Sequence, residues 1–487
     1  MNRAYVLLPL LALGGCATPV PQSLPPKMVP QAFTGPMPSD AKIWPDPVWW
    51  QAFGDPQMTA LVEKAQDQNR DIAIAAARVL QAEAQSTIQR SALFPQLGAQ
   101  ADHSNNGCNG QSCSRFGSGK ISGLSFSASY ELDFWGLARD NLRAANEQRK
   151  AAHFARQSIA LVVAANVASQ YLTVQTIRRR IAIANDYIAA INSILNVIEV
   201  RVKSGAASHL DLAREQAQVE AVEAQLPALE TLEKQALYSL AVLLGQPPEG
   251  FDIEVQPIDA VLVPSVGVGL PSDLLLRRPD IAQAEANLAS AHANLDAARV
   301  AFLPQISLTG SGGFVSSAIG TLLQGSNFGY GYGVGLLQTI FDGGKLVGQK
   351  DLAEATQREY VASYQKSALN AYADVEFALT EVANTSKAEG HLRRLIQAAQ
   401  EAFEISQLQY RQGAADLLTL LQAQQTLFSA QDQLAQTMLS NRLAAIHLYE
   451  ALGGGWTESP QDRTQFVAHE AAGNVASIDG GREFVAR

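Results

Sequence analysis

Arg90-Ser91-Ala92-Leu93-Phe94-Pro95-Gln96-Leu97 returns, conservatively varied, as Arg299-Val300-Ala301-Phe302-Leu303-Pro304-Gln305-Ile306. Gly205-Ala206-Ala207, with Leu210 beyond it, returns as Gly413-Ala414-Ala415 with Leu418, and Leu244-Gly245 returns as Leu452-Gly453. The offset stays near 208 residues through all three pairs, so one structural unit is used twice. In each copy a proline, Pro95 or Pro304, ends a helical pattern and opens an alternating one. Very long helical patterns interrupted by a pair of strands point to a pore that crosses a membrane as β and a compartment as α.

The alternation is clearest after the first proline. Leu124, Phe126, Ala128, Tyr130, Leu132 and Phe134 interleave with Ser125, Ser127, Ser129, Glu131 and Asp133. Period 2 puts the apolar set on one face and the polar set on the other. The eleven residues match a tilted transmembrane strand, and Tyr130 and Trp135 suit its interfaces. Phe328, Tyr330, Tyr332, Val334 and Leu336 alternate with glycines, while Leu97, Ala99, Ala101 and Ile306, Leu308 give weaker strands. The glycine run lacks the Lys-Ser/Thr of a phosphate loop. The competing reading is a soluble sandwich. Four strands in two separated pairs cannot close a barrel, however, and an open edge cannot sit in lipid, so several chains must share one barrel.

From Leu137 to Lys203 there is neither Gly nor Pro; as one helix this segment reaches ~100 Å. Lys345 to Gln412 has no Pro, Ala414 to Leu452 has neither breaker, and Ala206 to Leu244 contains only Pro227, a kink or bulge site. None reads as a membrane helix; Ile159 to Ile177, the most apolar stretch, carries Asn166, Ser169, Gln170 and Gln175. Gly205 and Gly413 fold each long pattern back as a hairpin whose tip lies furthest from the strands.

The ends differ from the middle. Arg3 and the apolar run Tyr5 to Leu13 form a signal segment too short to span a bilayer. Leu13-Gly14-Gly15-Cys16 resembles a bacterial lipoprotein signal, which implies lipidation of Cys16; the alternative is a plain signal peptide with an incidental cysteine. Ala17 rather than Asp follows, which by resemblance to sorted lipoproteins favours the outer membrane. Residues 17–45 are Pro-rich and extended, and the segment after Trp456 is polar. The expected division is 1–15 signal, 16–52 lipidated extended segment, 53–250 first repeat, 251–456 second repeat and 457–487 tail.

The formal net charge of −10, without a basic run, argues against nucleic-acid binding. The remaining cysteines, Cys108 and Cys113, share a polar loop. In an oxidising compartment they are expected to pair; a metal site or free thiols are the alternatives, and two cysteines make a poor zinc set. The seven His are scattered and no nucleophile motif appears, so neither catalytic residue, metal site nor cofactor is expected.

At this point the chain is similar to a known family. Trp49-Trp50-Gln51-Ala52-Phe53, Tyr130-Glu131-Leu132-Asp133-Phe134-Trp135-Gly136, Leu270-Pro271-Ser272-Asp273-Leu274-Leu275-Leu276-Arg277-Arg278-Pro279-Asp280, Phe341-Asp342-Gly343-Gly344 and Ala451-Leu452-Gly453-Gly454-Gly455-Trp456 resemble the TolC/OprM-like outer-membrane efflux factors of the lipoprotein (NodT-type) subfamily. The resemblance implies an α+β homotrimer with a shared 12-stranded outer-membrane barrel, four strands per chain, continued by a 12-helix periplasmic α-barrel. It implies a passive, tip-gated exit duct for drugs or other toxic solutes, a palmitate-bearing anchor, a periplasmic adaptor and an inner-membrane pump of the RND type. A duct for type I polypeptide secretion and a periplasmic coiled-coil scaffold are the alternatives; the scaffold leaves the strand pairs unexplained. Relatives often carry Leu-Asp-Ala-Gln-Arg after the second tip, where this chain has Leu421-Gln422-Ala423-Gln424-Gln425. With both charges gone, the gate candidates are Asp211, Arg214, Tyr410, Arg411, Asp416 and Leu418, against a reading of solvated tip residues. Gly205, Ala206, Gly413 and Ala414 are the expected adaptor-docking tips.

Overall fold

The computed structural model describes residues 28–35, 46–106, 119–265, 267–269 and 271–454. The expected signal segment, Cys16, Cys108, Cys113 and the 457–487 tail lie outside them. The helices are α1 (Pro56–Gln68), α2 (Arg70–Ser91), α3 (Leu137–Lys203), α4 (His209–Glu223), α5 (Leu226–Leu243), α6 (Pro271–Leu274), α7 (Pro279–Val300), α8 (Lys345–Gln412) and α9 (Leu417–Ala451). The strands are β1 (Gln96–Asn106), β2 (Gly119–Leu132), β3 (Gln305–Ser316) and β4 (Phe328–Leu337). They form one antiparallel sheet in the order β1-β2-β3-β4, leaving β1 and β4 at its edges.

The repeat is visible element by element. α2 and α7 each have 22 residues, and each leads through its proline into a strand that begins with glutamine. Both strand pairs then feed helices of nearly equal length, 67 residues in α3 and 68 in α8. Each long helix starts at a glycine in the left-handed region, Gly136 at φ 95° or Gly344 at φ 91°. An aspartate just upstream supplies the acceptor that the glycine lacks. Asp133 accepts from the backbone N–H of Ala138 and Arg139 at 2.9 and 3.0 Å, and Asp342 accepts from Gly344, Lys345 and Leu346. These bonds satisfy helix-end donors that have no partner within the helix.

The halves differ at Pro227. The second return helix, α9, is continuous over 35 residues, whereas the first breaks after Glu223 and restarts with Pro227 in the first turn of α5. A proline in mid-helix lacks the donor and clashes one turn back, so the chain places it at a new start.

The register puts the apolar alternations of all four strands on one face. Leu97 faces Ala128, which faces Gly310, which faces Tyr332; Ala99, Phe126, Gly312 and Tyr330 form the next row, and Ala101, Leu124, Phe314 and Phe328 another. Leu132, Ile306 and Leu336 close the set at the helical end. The opposite face carries Gln96, Ser129, Thr309 and Gly333, then Gly98, Ser127, Ser311 and Gly331. Beyond Leu124 the sense reverses: His103 bonds Ser122 at 2.9 Å on the formerly apolar face, and Ile121 and Val315 move to the other. The apolar band on β2 thus runs from Leu124 to Leu132. That is ~27 Å along a strand, which the usual barrel tilt shortens to about 20–22 Å, near the ~25 Å lipid-facing band of such barrels.

Two expectations need correction. Phe134 is not in the strand: β2 ends at Leu132, a tight turn follows, and the Phe134 ring packs edge-on to Trp135. The sequence alternation outruns the strand because Asp133 is needed to cap α3. A stretch of α3 is also apolar and long enough to cross a membrane. It serves instead as core, since Val163, Val167, Tyr171, Leu172 and Val174 are buried.

That core girdles the middle of the helices. Trp49 stacks on Tyr449 at 5.3 Å, with Phe53 tilted against the same ring. The Tyr171 hydroxyl donates to Asp55 at 2.7 Å, and Asp55 caps α1 through Met58 N–H. Arg278, next to the proline that opens α7, grips Asp280 with two nitrogens, and reaches Asp374 on α8 and the Ala451 carbonyl at the end of α9. This is what the Leu-Leu-x-Arg-Arg-Pro-Asp block does: one guanidinium ties three helices, as its planar fork allows. Gly245 and Gly453 end the return helices at φ 68° and 84°. A Cβ at Gly245 would strike the Gln68 carbonyl and one at Gly453 the Arg277 carbonyl, so each copy seats its last turn against backbone of its own half.

The register makes the two faces of the sheet unequal in what they tolerate. Ala128→Arg, in the middle of the apolar band, should cost ~2–4 kcal/mol. Ser127→Arg on the opposite face should assemble normally and change conductance. Equal thermal dissociation of the two variant channels would reverse the assignment of faces.

Candidate functional site

The two hairpin tips are built alike. Ala206 N–H donates to the Arg201 carbonyl and Ala414 N–H to the Gln409 carbonyl, at 2.7 and 2.8 Å, while Gly205 at φ 74° and Gly413 at φ 75° make the turns. Both glycines have open space where a side chain would stand, so backbone conformation and not crowding selects them. The following helices are capped by Ser208, in a reciprocal capping box with Asp211, and by Asp416, which accepts from Thr419 N–H at 2.9 Å. The Thr419 donors hold the exposed Asp416 carboxyl below its ordinary range.

The structure therefore assigns the sequence candidates unequal surroundings. Asp211 and Asp416 are occupied as helix-cap acceptors, and among the described residues no ion pair joins them to Arg214 or Arg411. Tyr410 is buried with Ile194, Ile198, Leu417 and Leu420. Leu418 is 48% exposed and its repeat counterpart Leu210 57%, so two equivalent apolar side chains project at each protomer's tips. Arg214 is exposed as well. Gln422 and Gln425 line a shallow groove with Leu392, Leu395 and Gln433 between α8 and α9.

One residue at the tips escaped the sequence reading. The Arg201 guanidinium lies over the Tyr410 ring, 4.8 Å from its centroid, and donates to the Arg411 carbonyl at 3.0 Å. It joins the tip of the first hairpin to the tip of the second within one protomer. A basic residue in the last turn of a helix is too common to be a signal, so only the folded arrangement reveals the link. Further up, the same two hairpins are held by Arg180 with Asp432 at 2.6 Å and by Tyr187 stacked on Phe428 at 4.3 Å. The hairpins thus contact through a ladder whose lowest rung lies at the tips.

A sheet with one apolar face and two open edges, continued by helices ~100 Å long, defines a class: one protomer of a channel that crosses a membrane and stands off from it. The family model for outer membrane efflux proteins matches residues 61–246 and 270–454, and the chain belongs to that family. It is 35% identical over 471 residues to the pyoverdine export outer membrane protein OpmQ of Pseudomonas putida, an alignment covering 94% of this chain and 99% of the relative. It is 33% identical over 430 residues to the toluene efflux pump outer membrane protein TtgC of Pseudomonas putida, covering 87% of this chain and 88% of that one. The open state of the MtrE outer membrane channel of Neisseria gonorrhoeae superposes with a TM-score of 0.80 at 28% identity, over 88% of this chain and 96% of that one. The protein is an outer-membrane efflux channel whose fold is that of the trimeric channels, and its relatives are channels and not enzymes.

Proposed function

We propose that the chain is the exit duct of a three-part efflux assembly, passing small toxic or exported solutes from a periplasmic adaptor and an inner-membrane pump of the RND type to the outside. The observation that carries this reading is the join between an apolar-faced sheet and hairpins long enough to meet a partner across the periplasm. The relatives are named for pyoverdine export and for toluene efflux, two different solutes. That spread fits a duct whose pump selects the cargo. The tips at Gly205, Ala206, Gly413 and Ala414 are the docking points, and their twofold use offers an adaptor two similar grooves per protomer. Photo-crosslinking groups at Ala206 and Ala414 should capture one periplasmic adaptor in cells, and deletion of the gene should raise drug susceptibility. Crosslinks to a polypeptide in transit, with susceptibility unchanged, would instead favour protein secretion.

We further propose that Cys16 carries lipid in the same leaflet from which the barrel projects. Thr34 N–H and its hydroxyl donate to the Glu376 carboxylate at 2.6 and 3.0 Å, with Gly35 N–H added at 3.0 Å. This fastens the N-terminal segment beside α8, ~47 Å along the helix from its start at Lys345. The residues from Cys16 to Thr34 can extend ~60 Å, enough to return to the membrane. Cys16→Ser should remove the acyl mass from the N-terminal peptide in mass spectrometry; an unmodified Cys16 in the parent would rule the anchor out.

The resting entrance, in this proposal, is narrowed by Leu210 and Leu418 and held by the Arg201 link, with Arg214 and Arg411 offsetting the tip carboxylates. A cation–π contact on the buried Tyr410 ring is worth ~0.5–2 kcal/mol, repeated in each protomer. Arg201→Ala should raise the resting conductance of reconstituted channels, Arg201→Lys should do so less, and Leu418→Ala should admit larger solutes. Conductance unchanged in all three would place closure elsewhere.

A further inference from the structure

The stripe that α4 turns toward α3 is apolar except at one position. Leu212, Val219 and Val222 pack against Ile198, Ile191, Tyr187 and Ala184, as the hairpin geometry requires. Between Leu212 and Val219 stands Glu215, 0% exposed, with neither carboxylate oxygen hydrogen-bonded. It is the seventh residue of α4, so ~10 Å above the tip. At a neighbouring level α9 makes a similar interruption: Gln424, between Leu420 and Phe428, is 2% exposed with both amide atoms unpaired. Two unpaired polar groups thus interrupt the apolar seams that hold both return helices against α3.

Among the described residues no cation is placed to neutralise Glu215. α3 carries no charged side chain between Asp186 and Glu199, and α9 carries none from Leu417 through Gln431. The titratable group that faces it is Tyr187 of α3, whose hydroxyl accepts from Gln218 at 3.1 Å and whose pKa is pushed up to about 12 by burial, with the Glu215 charge contributing. On α4 itself Asp211 is held in the cap and Arg214 points to solvent. One level toward the tip, the Tyr410 ring lies under Arg201. A buried carboxylate with no partner is costly, while the neutral acid is tolerated.

We propose that Glu215 makes the seating of α4 on α3 depend on its proton. Neutral, it lets the first hairpin pack and the entrance rest closed. Ionised, it draws water into the seam, loosens α4 and lets the tip drift outward. Burial pushes the Glu215 carboxyl up to about 7, which places the transition in a range the periplasm meets. That raised value fixes the direction of the response. A carboxyl that binds its proton more tightly when packed costs nothing below its ordinary value, and disfavours packing increasingly as pH rises toward the packed-state value. Resting leak should therefore be low in acid and rise with pH, opposite to a channel whose closure relies on buried carboxylate–arginine pairs.

The test uses the full-length trimer in planar bilayers without pump or adaptor, so it stands whether or not the efflux reading holds. The parent's resting conductance should rise by well over tenfold between about pH 4.5 and 8, since a carboxyl held near 7 when packed and at its ordinary value when loosened changes the ratio of the two states about tenfold for each pH unit between those values. Glu215→Gln keeps the shape without the charge and should hold the acid-side value throughout. Glu215→Leu, also uncharged, should be equally flat and covers the case in which the amide variant fails to assemble. A pH curve that is the same in the parent and in either neutral variant, or a parent that leaks more in acid, would overturn the proposal.

Discussion

Everything above the tips depends on an unmet hydrogen-bonding requirement. The outer strands β1 and β4 present rows of backbone N–H and C=O groups with no partner in their own chain. Hydrocarbon supplies none, and each group left bare there costs several kcal/mol. The sheet must therefore continue into other copies until it closes. Closure fixes the rotational order of the protomers, and that order is passed to the helices through short, rigid joints at Pro95, Asp133-Gly136, Pro304 and Asp342-Gly344. The joints are short, so where a strand stands around the barrel determines where a helix stands around the tunnel.

The helices then face a different solvent with different rules. They satisfy their own backbones, and their association rests on side chains. The middle is an apolar girdle pinned by Arg278, Asp55 and Tyr171. Toward the tips the shared core thins to small clusters, and polar links such as Arg180–Asp432 and Arg201–Tyr410 take over. Rigidity falls along the same direction, as expected where buried apolar contacts become few. The end that must meet partners is also the end held least firmly.

Much of this was legible in the chain. The strands showed themselves by period 2, and the long helices by the absence of Gly and Pro between Leu137 and Lys203. The glycines at 205 and 413 marked the turns because only a positive φ fits there. The reading went astray where one residue serves two elements: Asp133 looked like a strand residue and is a helix cap. At the tips, the chain did not reveal that the Asp211 and Asp416 carboxylates also serve local caps. Arg201 left no trace, because its partner lies 210 positions away in the chain and the contact exists only after folding. Glu215 did leave one: a carboxylate between Leu212 and Val219 breaks the stripe that a hairpin helix needs. The Glu376 clasp on Thr34 was invisible, since an isolated glutamate on a long polar helix carries no signal.

The matched lengths of α3 and α8, 67 and 68 residues, restrict how such a protein can change size over evolution. Each inserted residue advances a helix by ~1.5 Å but turns everything beyond it by ~100°. A single insertion would therefore swing Ile191, Ile194 and Ile198 off their partners. Only steps near whole turns, about 7, 11 or 18 residues, restore the facing stripe. Such a step must appear in the outgoing and the returning helix of both halves, or the two tips no longer end in one plane. The reach of the duct is thus quantised and quadruply linked, and a bacterium with a wider periplasm would more readily lengthen the partner that meets the tip.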